Sequence, residues 1–370
     1  MSKKTIIALA ALTAMAGSAL AADVTLYGRI DNGLYLTKSK AKDTTSLSME
    51  SGMAGASRWG IKGTEDLGNG YKVGFVLESG INTDTGTMAG SKDSRLFDRD
   101  SYLSVGTPFG DFRLGRSGAL GGGVSGGIFA GNASPFGVVY KDAQSTKVFA
   151  VQGRVDNMVR YDTPKFAGLK FMAQYSNGMS GDDAINNSQK DRYAAIGASY
   201  EIGGLKLFAV ADKVLWNDKK DDGQGRKDTN AYKLAAQFKV VDTVTLYGGY
   251  QYSDNAQKIG LVTTKDLKIK GADTHAATLG SRIQLGGGDL NLAVGYVTGD
   301  EKVDSVKHKV EAWQAGIGYT YHISKRTHVY AVAAYFDSKY KKNGERIWTG
   351  KASSGSEKTK SLLCGMYHSF

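Results

Sequence analysis

The chain has 370 residues, among them 49 Gly, 20 Tyr and only 3 Pro, and it carries a formal net charge of +11. Its single cysteine, Cys364, excludes an internal disulfide framework and reads as a small apolar residue. The basic balance admits nucleic acid or a basic pore as its use, and an exported chain favours the pore.

Residues 1–21 read as a removable secretory leader: Lys3 and Lys4 at the start, an apolar run from Thr5 to Ala16, and Ala19-Leu20-Ala21 as the cleavage site. Without it, 45 basic residues stand against 36 acidic ones, a balance of +9. The leader's apolar run is too short for a spanning helix, and no other run approaches the roughly 18–20 residues that one needs. A membrane crossing by residues 22–370, expected as a single domain, is therefore a crossing by strands.

Along the mature chain, short turn signals alternate with long polar stretches. The turns are Asp66-Leu67-Gly68-Asn69-Gly70, Thr107-Pro108-Phe109-Gly110, Lys165-Phe166-Ala167-Gly168, Ile202-Gly203-Gly204, Val241-Asp242, Gly286-Gly287-Gly288-Asp289 and Ser324-Lys325-Arg326. The long stretches fall near residues 38–54, 84–94, 117–153, 177–191, 217–228, 255–272, 300–308 and 340–357. Seven turns alternating with eight loops predict sixteen antiparallel strands, all long connections on one side and all short ones on the other. A secreted β-sandwich does not usually sort its connections this way.

The strands alternate legibly. Leu169, Phe171, Ala173 and Tyr175 oppose Lys170, Met172, Gln174 and Ser176; Tyr232, Leu234, Ala236, Phe238 and Val240 oppose Lys233, Ala235, Gln237 and Lys239. Leu290, Leu292, Val294 and Tyr296 likewise face away from Asn291 and Gly295. A lysine on a lipid face near the midplane costs about 2–4 kcal/mol, so these lysines are expected in a wet lumen. The last strand ends without a tail on Leu362, Cys364, Met366, His368 and Phe370, one apolar face finishing in an aromatic. Tyr250, Tyr252, Tyr319, Tyr321 and Tyr367 fit interfacial aromatic girdles.

Blocks spread over the whole mature chain resemble the general porins of Gram-negative outer membranes, above all their betaproteobacterial branch. They are Val24-Thr25-Leu26-Tyr27-Gly28, Ser57-Arg58-Trp59-Gly60-Ile61-Lys62-Gly63-Thr64-Glu65-Asp66-Leu67-Gly68, Leu77-Glu78-Ser79-Gly80 and Leu96-Phe97-Asp98-Arg99. Phe109-Gly110-Asp111-Phe112-Arg113-Leu114-Gly115-Arg116 and Arg154-Val155-Asp156-Asn157-Met158-Val159-Arg160-Tyr161 continue the series. The resemblance implies an all-β fold, a 16-stranded antiparallel transmembrane β-barrel with short periplasmic turns, long external loops and a third loop folded into the lumen. It implies a homotrimer in outer-membrane lipid and lipopolysaccharide, passing small hydrophilic solutes and anions, with no cofactor and no nucleic acid partner.

The segment 117–153 is then the constriction loop. Gly121, Gly122, Gly123, Gly126, Gly127 and Gly131 permit close approach to a wall, and Ile128, Phe129, Phe136, Val138 and Val139 are too apolar for a free external loop. By motif, the basic wall comprises Arg29, Arg58, Arg99 and Arg154, with Lys62, Arg113 and Arg160 nearby. Outward Trp59, Ile61, Phe112, Leu114, Val155 and Val159 independently turn Arg58, Lys62, Arg113, Arg154 and Arg160 inward. Arg99 shares its parity with Leu103 and Val105, so its placement rests on the resemblance alone. A rim or inter-subunit salt bridge is the alternative role for each arginine.

Where enterobacterial porins carry Pro-Glu-Phe-Gly in the loop, this chain has Ser134-Pro135-Phe136-Gly137, and Lys141 adds positive charge. Pro135, Phe136 and Lys141 are thus expected at the constriction. No Asp or Glu lies between Asp111 and Asp142, so the arginines are expected to stand unopposed and the pore to prefer anions, unless Asp142 or Asp156 folds back into it. A substrate-specific channel for phosphate, organic acids or sugars is the alternative. An outer-membrane enzyme is disfavoured because no motif surrounds His275, His308, His322, His328 or His368, and no His or Cys pair has ligand-like spacing for a metal.

Overall fold

A strand whose alternate residues are apolar and polar has two media to satisfy, and a closed barrel with lipid outside and water inside supplies both. The computed structural model describes residues 23–90, 95–180, 190–217, 225–303 and 305–370. The leader, residues 1–21, lies outside the described residues, as do parts of four of the long stretches.

The wall begins with β1 (Thr25–Ser39), β2 in two arms (Thr44–Ser51 and Arg58–Gly68), β3 (Tyr71–Asn82), β4 (Ser101–Thr107) and β5 (Gly110–Gly118). It continues with β6 (Arg154–Asp162), β7 (Leu169–Ser176), β8 (Arg192–Ile202), β9 (Leu205–Leu215), β10 (Thr229–Val241) and β11 (Val244–Ala256). β12 (Ala272–Leu285), β13 (Gly288–Val303), β14 (Val306–His322), β15 (Thr327–Lys342) and β16 (Glu357–Ser369) complete sixteen. Each strand pairs antiparallel with the next, and β16 returns to β1 in register from Ser369 opposite Arg29 to Thr359 opposite Ser39. Phe370 is the last rung: its N–H donates to the Gly28 carbonyl at 3.0 Å and its carbonyl accepts from Gly28 at 3.2 Å. Among the described residues no edge of the wall is left unpaired.

The seven short turns lie at the expected places. Asn69-Gly70 between β2 and β3 takes φ of 53° and 81°, the left-handed pair that a two-residue hairpin needs. Two long stretches are shorter than the polar sequence suggests. In 38–54, residues from Thr44 onward form the upper arm of β2, and in 300–308 the strands run on to Val303 and restart at Val306. Polar residues above the lipid boundary can still pair in a ladder, so hydrophilicity marks the water level rather than the end of the strand.

The outward face is apolar as the alternation predicts, with Leu234, Phe238, Val294, Ile317, Leu362 and Met366 all exposed. Cys364 shares it and is a free thiol. Tyr250 and Tyr321 also point out, but Tyr367 does not: it faces the lumen beneath the Arg29 guanidinium, 5.1 Å from the ring centre. Its odd number puts it opposite in parity to outward Met366 and Phe370, which corrects its place in the girdle.

Most of the buried apolar side chains lie inside the barrel, between the wall and the segment that joins β5 to β6. Phe129, Ala133, Val148 and Phe149 pack on Ala235, Ala276, Val297 and Ala312; Leu120 packs on Met158, Tyr193 and Val210; Phe136 packs on Tyr330 and Val332. A third loop rich in Phe and Val thus finds on the inner wall the apolar surface that water denies it.

Candidate pore constriction

The loop is held by a ladder of side chains that wall strands present to its backbone. Gln174 on β7 accepts from Leu120 N–H at 2.6 Å, and Tyr193 on β8 accepts from Gly121 N–H at 2.9 Å. Lys233 on β10 donates to the Gly121 carbonyl at 3.1 Å, and Gln237 donates to Asn132. Gln251 on β11 reaches the Ala150 carbonyl at 2.7 Å, Thr278 on β12 the Ala133 carbonyl at 2.7 Å, and Arg282 the Pro135 carbonyl at 3.1 Å. A loop backbone buried in a lumen must have its polar groups met, and the inward-facing polar residues of β7 to β12 meet them. The loop is thereby fastened along the inner face of β7 to β12.

The basic residues gather mainly on β1 to β6. Arg29 on β1 stands directly across the ladder from Arg58 on β2, and Arg113 on β5 directly across from Arg160 on β6. Like charges opposite one another on a sheet face are destabilising, so the wall holds positive potential against a cost in stability. Arg154 on β6 reaches the loop at Ser125 Oγ, 2.9 Å away, and Arg160 reaches the Gly126 carbonyl at 2.7 Å. Lys62 lies over the Tyr27 ring at 5.3 Å.

Arg99 also joins the group, against the parity of β4. Residues 95–100 are irregular rather than strand, so the alternation stops at Ser101. The guanidinium Nε meets Glu78 at 2.5 Å.

The expectation that the arginines are unopposed is corrected. Glu78 on β3 serves both Arg99 and Arg58, the latter at 3.3 Å. Asp100 lies 3.7 Å from Arg154; Asp156 pairs with Arg116 and Arg95; Asp162 pairs with Arg160 at 2.6 Å, Lys170 at 3.1 Å and Arg113 at 3.9 Å. The counter-charges thus come from the wall itself rather than from the loop. Four carboxylates are shared by eight cations, and Arg29 and Lys62, seated on aromatic rings, bring the cations to ten. Counting Asp31 and Asp98 as well still leaves an excess of positive charge.

Arg29 and Arg58 are aimed by the break in β2. Between its arms, residues 52–57 bulge over Asp31, whose carboxylate accepts from Ala54 N–H at 2.6 Å, Gly55 N–H at 2.8 Å and the Tyr330 hydroxyl at 2.6 Å. Asp31 is wholly buried, so these three bonds are what makes its burial tolerable. A Cβ on Gly55 would come within 2.8 Å of the Arg29 guanidinium and of the Tyr367 ring, so only glycine lets the bulge close over that arginine.

Three of the residues expected at the constriction are elsewhere. Pro135 and Phe136 are buried, Phe136 at 1% exposure, with the Phe136 ring in a slot left by Gly316 and Gly318 on β14. They anchor the loop rather than face the channel, because nothing in the channel would repay exposing an aromatic ring. Lys141 donates to Glu50 at 2.9 Å, on the upper arm of β2. Asp142, the loop's one carboxylate between residues 119 and 153, is buried with Lys147 at 2.6 Å and accepts from Tyr35 at 2.9 Å. Burial alone would raise its pKa, but the Lys147 ammonium and the Tyr35 hydroxyl hold it below the ordinary carboxylate value. Neither Asp142 nor Asp156 opposes the arginine wall from the loop.

Glu78, Asp100, Asp162 and Arg116 were not singled out from the sequence, whereas Asp156 was named as a candidate counter-charge and does meet Arg116 and Arg95 from β6. For Glu78 a signal existed, since outward-reading Phe75 and Leu77 turn it inward. Arg116 follows an irregularity in the β5–β6 register after Gly115, which displaces the parity count.

The comparisons with known proteins agree with this geometry. A family model for Gram-negative porins matches residues 8–341. An outer membrane porin of Bordetella pertussis is 29% identical over 90% of this chain and 94% of its own length, and outer membrane porin protein 32 of Delftia acidovorans is 29% identical over the full length of both. The major outer membrane protein P.IB of Neisseria meningitidis is 28% identical over 88% of this chain and 90% of its own. Among solved structures, an anion-selective porin from Comamonas acidovorans superposes with a TM-score of 0.66 at 25% identity, covering 94% of this chain and all of that one. Family match, closed barrel and inserted loop agree, and the chain belongs to the Gram-negative porins of the outer membrane.

Proposed function

We propose that the channel passes small hydrophilic solutes by passive diffusion and prefers anions. The observation that carries this reading is the two pairs of opposed arginines, Arg29 with Arg58 and Arg113 with Arg160, on a wall where ten cations stand against four partner carboxylates. A loop without an exposed carboxylate leaves that excess uncancelled across the lumen, and the similarity to an anion-selective porin points the same way. Counter-ions screen such a field within about 10 Å at 0.1 M salt, so the preference weakens as salt rises.

The reversal potential in a planar bilayer under a potassium chloride gradient tests it. Arg58→Ala and Arg154→Ala should each lower the anion-to-cation permeability ratio by about two- to fivefold, the scale of about 1 kcal/mol for one charge in water. Glu78→Gln should raise the ratio. Cation preference in the unmodified protein would reject the anion reading and leave the porin. Saturable current block by a single solute would instead favour a channel specific for phosphate, an organic acid or a sugar.

The same reading includes a homotrimer embedded in outer-membrane lipid and lipopolysaccharide. Apolar residues on the outer face of β1 and β2, among them Leu26, Ile30, Leu47 and Met49, are exposed in one chain and available to a neighbour. Light scattering of the detergent-solubilised protein should give three chains per particle; one chain would remove this part.

A further inference from the structure

Outside the arginine cluster, the inner wall near the short-turn end carries a pair of histidines. His322 ends β14 and His328 lies near the start of β15, and the two face each other directly in the ladder. Both point into the lumen: outward Ile317 and Tyr321 fix the opposite parity for His322, and buried Tyr330 and Val332 share the face of His328. Their Nδ1 atoms are 2.7 Å apart, with the rings nearly perpendicular.

The third member is Asp289 on β13. Its Oδ2 lies 3.3 Å from His322 Nε2. A carboxylate only accepts, so His322 carries its proton on Nε2, and its Nδ1 presents a lone pair toward His328. An imidazole held by a carboxylate through one nitrogen with the other nitrogen free is the arrangement that metal-binding histidines favour. Beside them, Gln284, Asp289 and His322 line a recess of about 390 Å³ with Gly286, Gly287 and Gly288, roomy enough for waters to complete a coordination sphere.

We propose that His322 Nδ1 and His328 Nδ1 chelate a divalent transition metal ion such as Zn²⁺ at the periplasmic mouth, with Asp289 orienting His322 and water filling the remaining positions. Imidazole nitrogens bind zinc at about 2.0–2.1 Å, which places two of them about 3.3 Å apart in a tetrahedron. A small rotation of either ring opens the present contact to that separation. In the metal-free protein one proton bridges the two nitrogens; on binding it moves to His328 Nε2, so both imidazoles stay neutral and no net proton is released. Among the described residues no group of three or more His, Cys, Asp or Glu side chains is arranged to hold a metal, so this is a two-imidazole site with exchangeable waters. The His328 ring also stands 5.4 Å from Tyr367, on which Arg29 rests, so the dication adds positive charge at the foot of the arginine wall.

Isothermal calorimetry with zinc chloride on the untagged protein folded in detergent tests the site, independently of ion preference. One Zn²⁺ per chain is expected, with the association constant at least about tenfold lower in His328→Ala and in His322→Ala, and about tenfold lower in Asp289→Asn. His275→Ala, on the outer face beside Tyr250, should bind as the unmodified protein does. Heat-dependent electrophoretic mobility reports that each barrel has folded. Absence of binding, or binding equally strong in both histidine variants, would overturn the proposal.

Discussion

Asp212→Ala should destabilise the protein by about 3–5 kcal/mol and release the root of the constriction loop. Asp212 on β9 accepts from Lys233 at 2.5 Å and from the Tyr193 hydroxyl at 2.9 Å, and those two groups in turn hold the carbonyl and N–H of Gly121. The Lys233 side chain is 2% exposed, so removing its carboxylate partner leaves a buried charge without that counter-ion. A Cβ on Gly121 would fall 1.9 Å from the Asp212 carboxylate, which shows how closely loop and wall meet there. Urea unfolding in detergent measures the loss, and single-channel recording should show higher, noisier conductance as the loop lifts. The double variant Asp212→Ala with Lys233→Met should recover most of the stability, because the unpaired charge is what makes the single change costly. An unfolding midpoint unchanged in the single variant would mean that the network does not hold the loop.

Phe136→Ala should loosen the far end of the same loop. The ring is 1% exposed, fills the gap over Gly316 and Gly318, and meets Tyr140 edge-on at 5.8 Å. Replacing a fully buried Phe with Ala costs about 3–5 kcal/mol, from lost transfer energy and from the cavity that remains. Because β14 is fastened into the barrel on both sides, the loss falls on docking of the loop rather than on the wall. Single-channel records should therefore switch between the seated conductance and a larger one, while the barrel keeps its heat-resistant mobility. Phe136→Leu should do so much less. A steady, unaltered conductance in Phe136→Ala would show that the loop is held without this anchor.

The two ends of the loop illustrate how differently its residues could be read. Phe129, Phe136 and Val138 announced that the loop must bury itself, since an apolar loop in water has no other stable course. Which wall would receive Phe136 was invisible, because the slot is made by Gly316 and Gly318, about 180 residues further along the chain. A ring expected beside the channel turned out to be pinned behind it.

The arginines show the same division. Alternation is a local property: Trp59 outward forces Arg58 inward wherever the strand lies, and the strand count and turns of the barrel follow from such short-range rules. Arg99 escapes them because the irregular stretch before β4 breaks the period. The pairing of Glu78 with Arg58 and Arg99, of Asp156 with Arg116 and Arg95, and of His322 with His328 depends on the register between strands and on the path of the loop. Faces are therefore legible residue by residue, whereas charge partners are not, since a carboxylate's partner is chosen across the ladder by distances of a few ångströms that no single strand encodes.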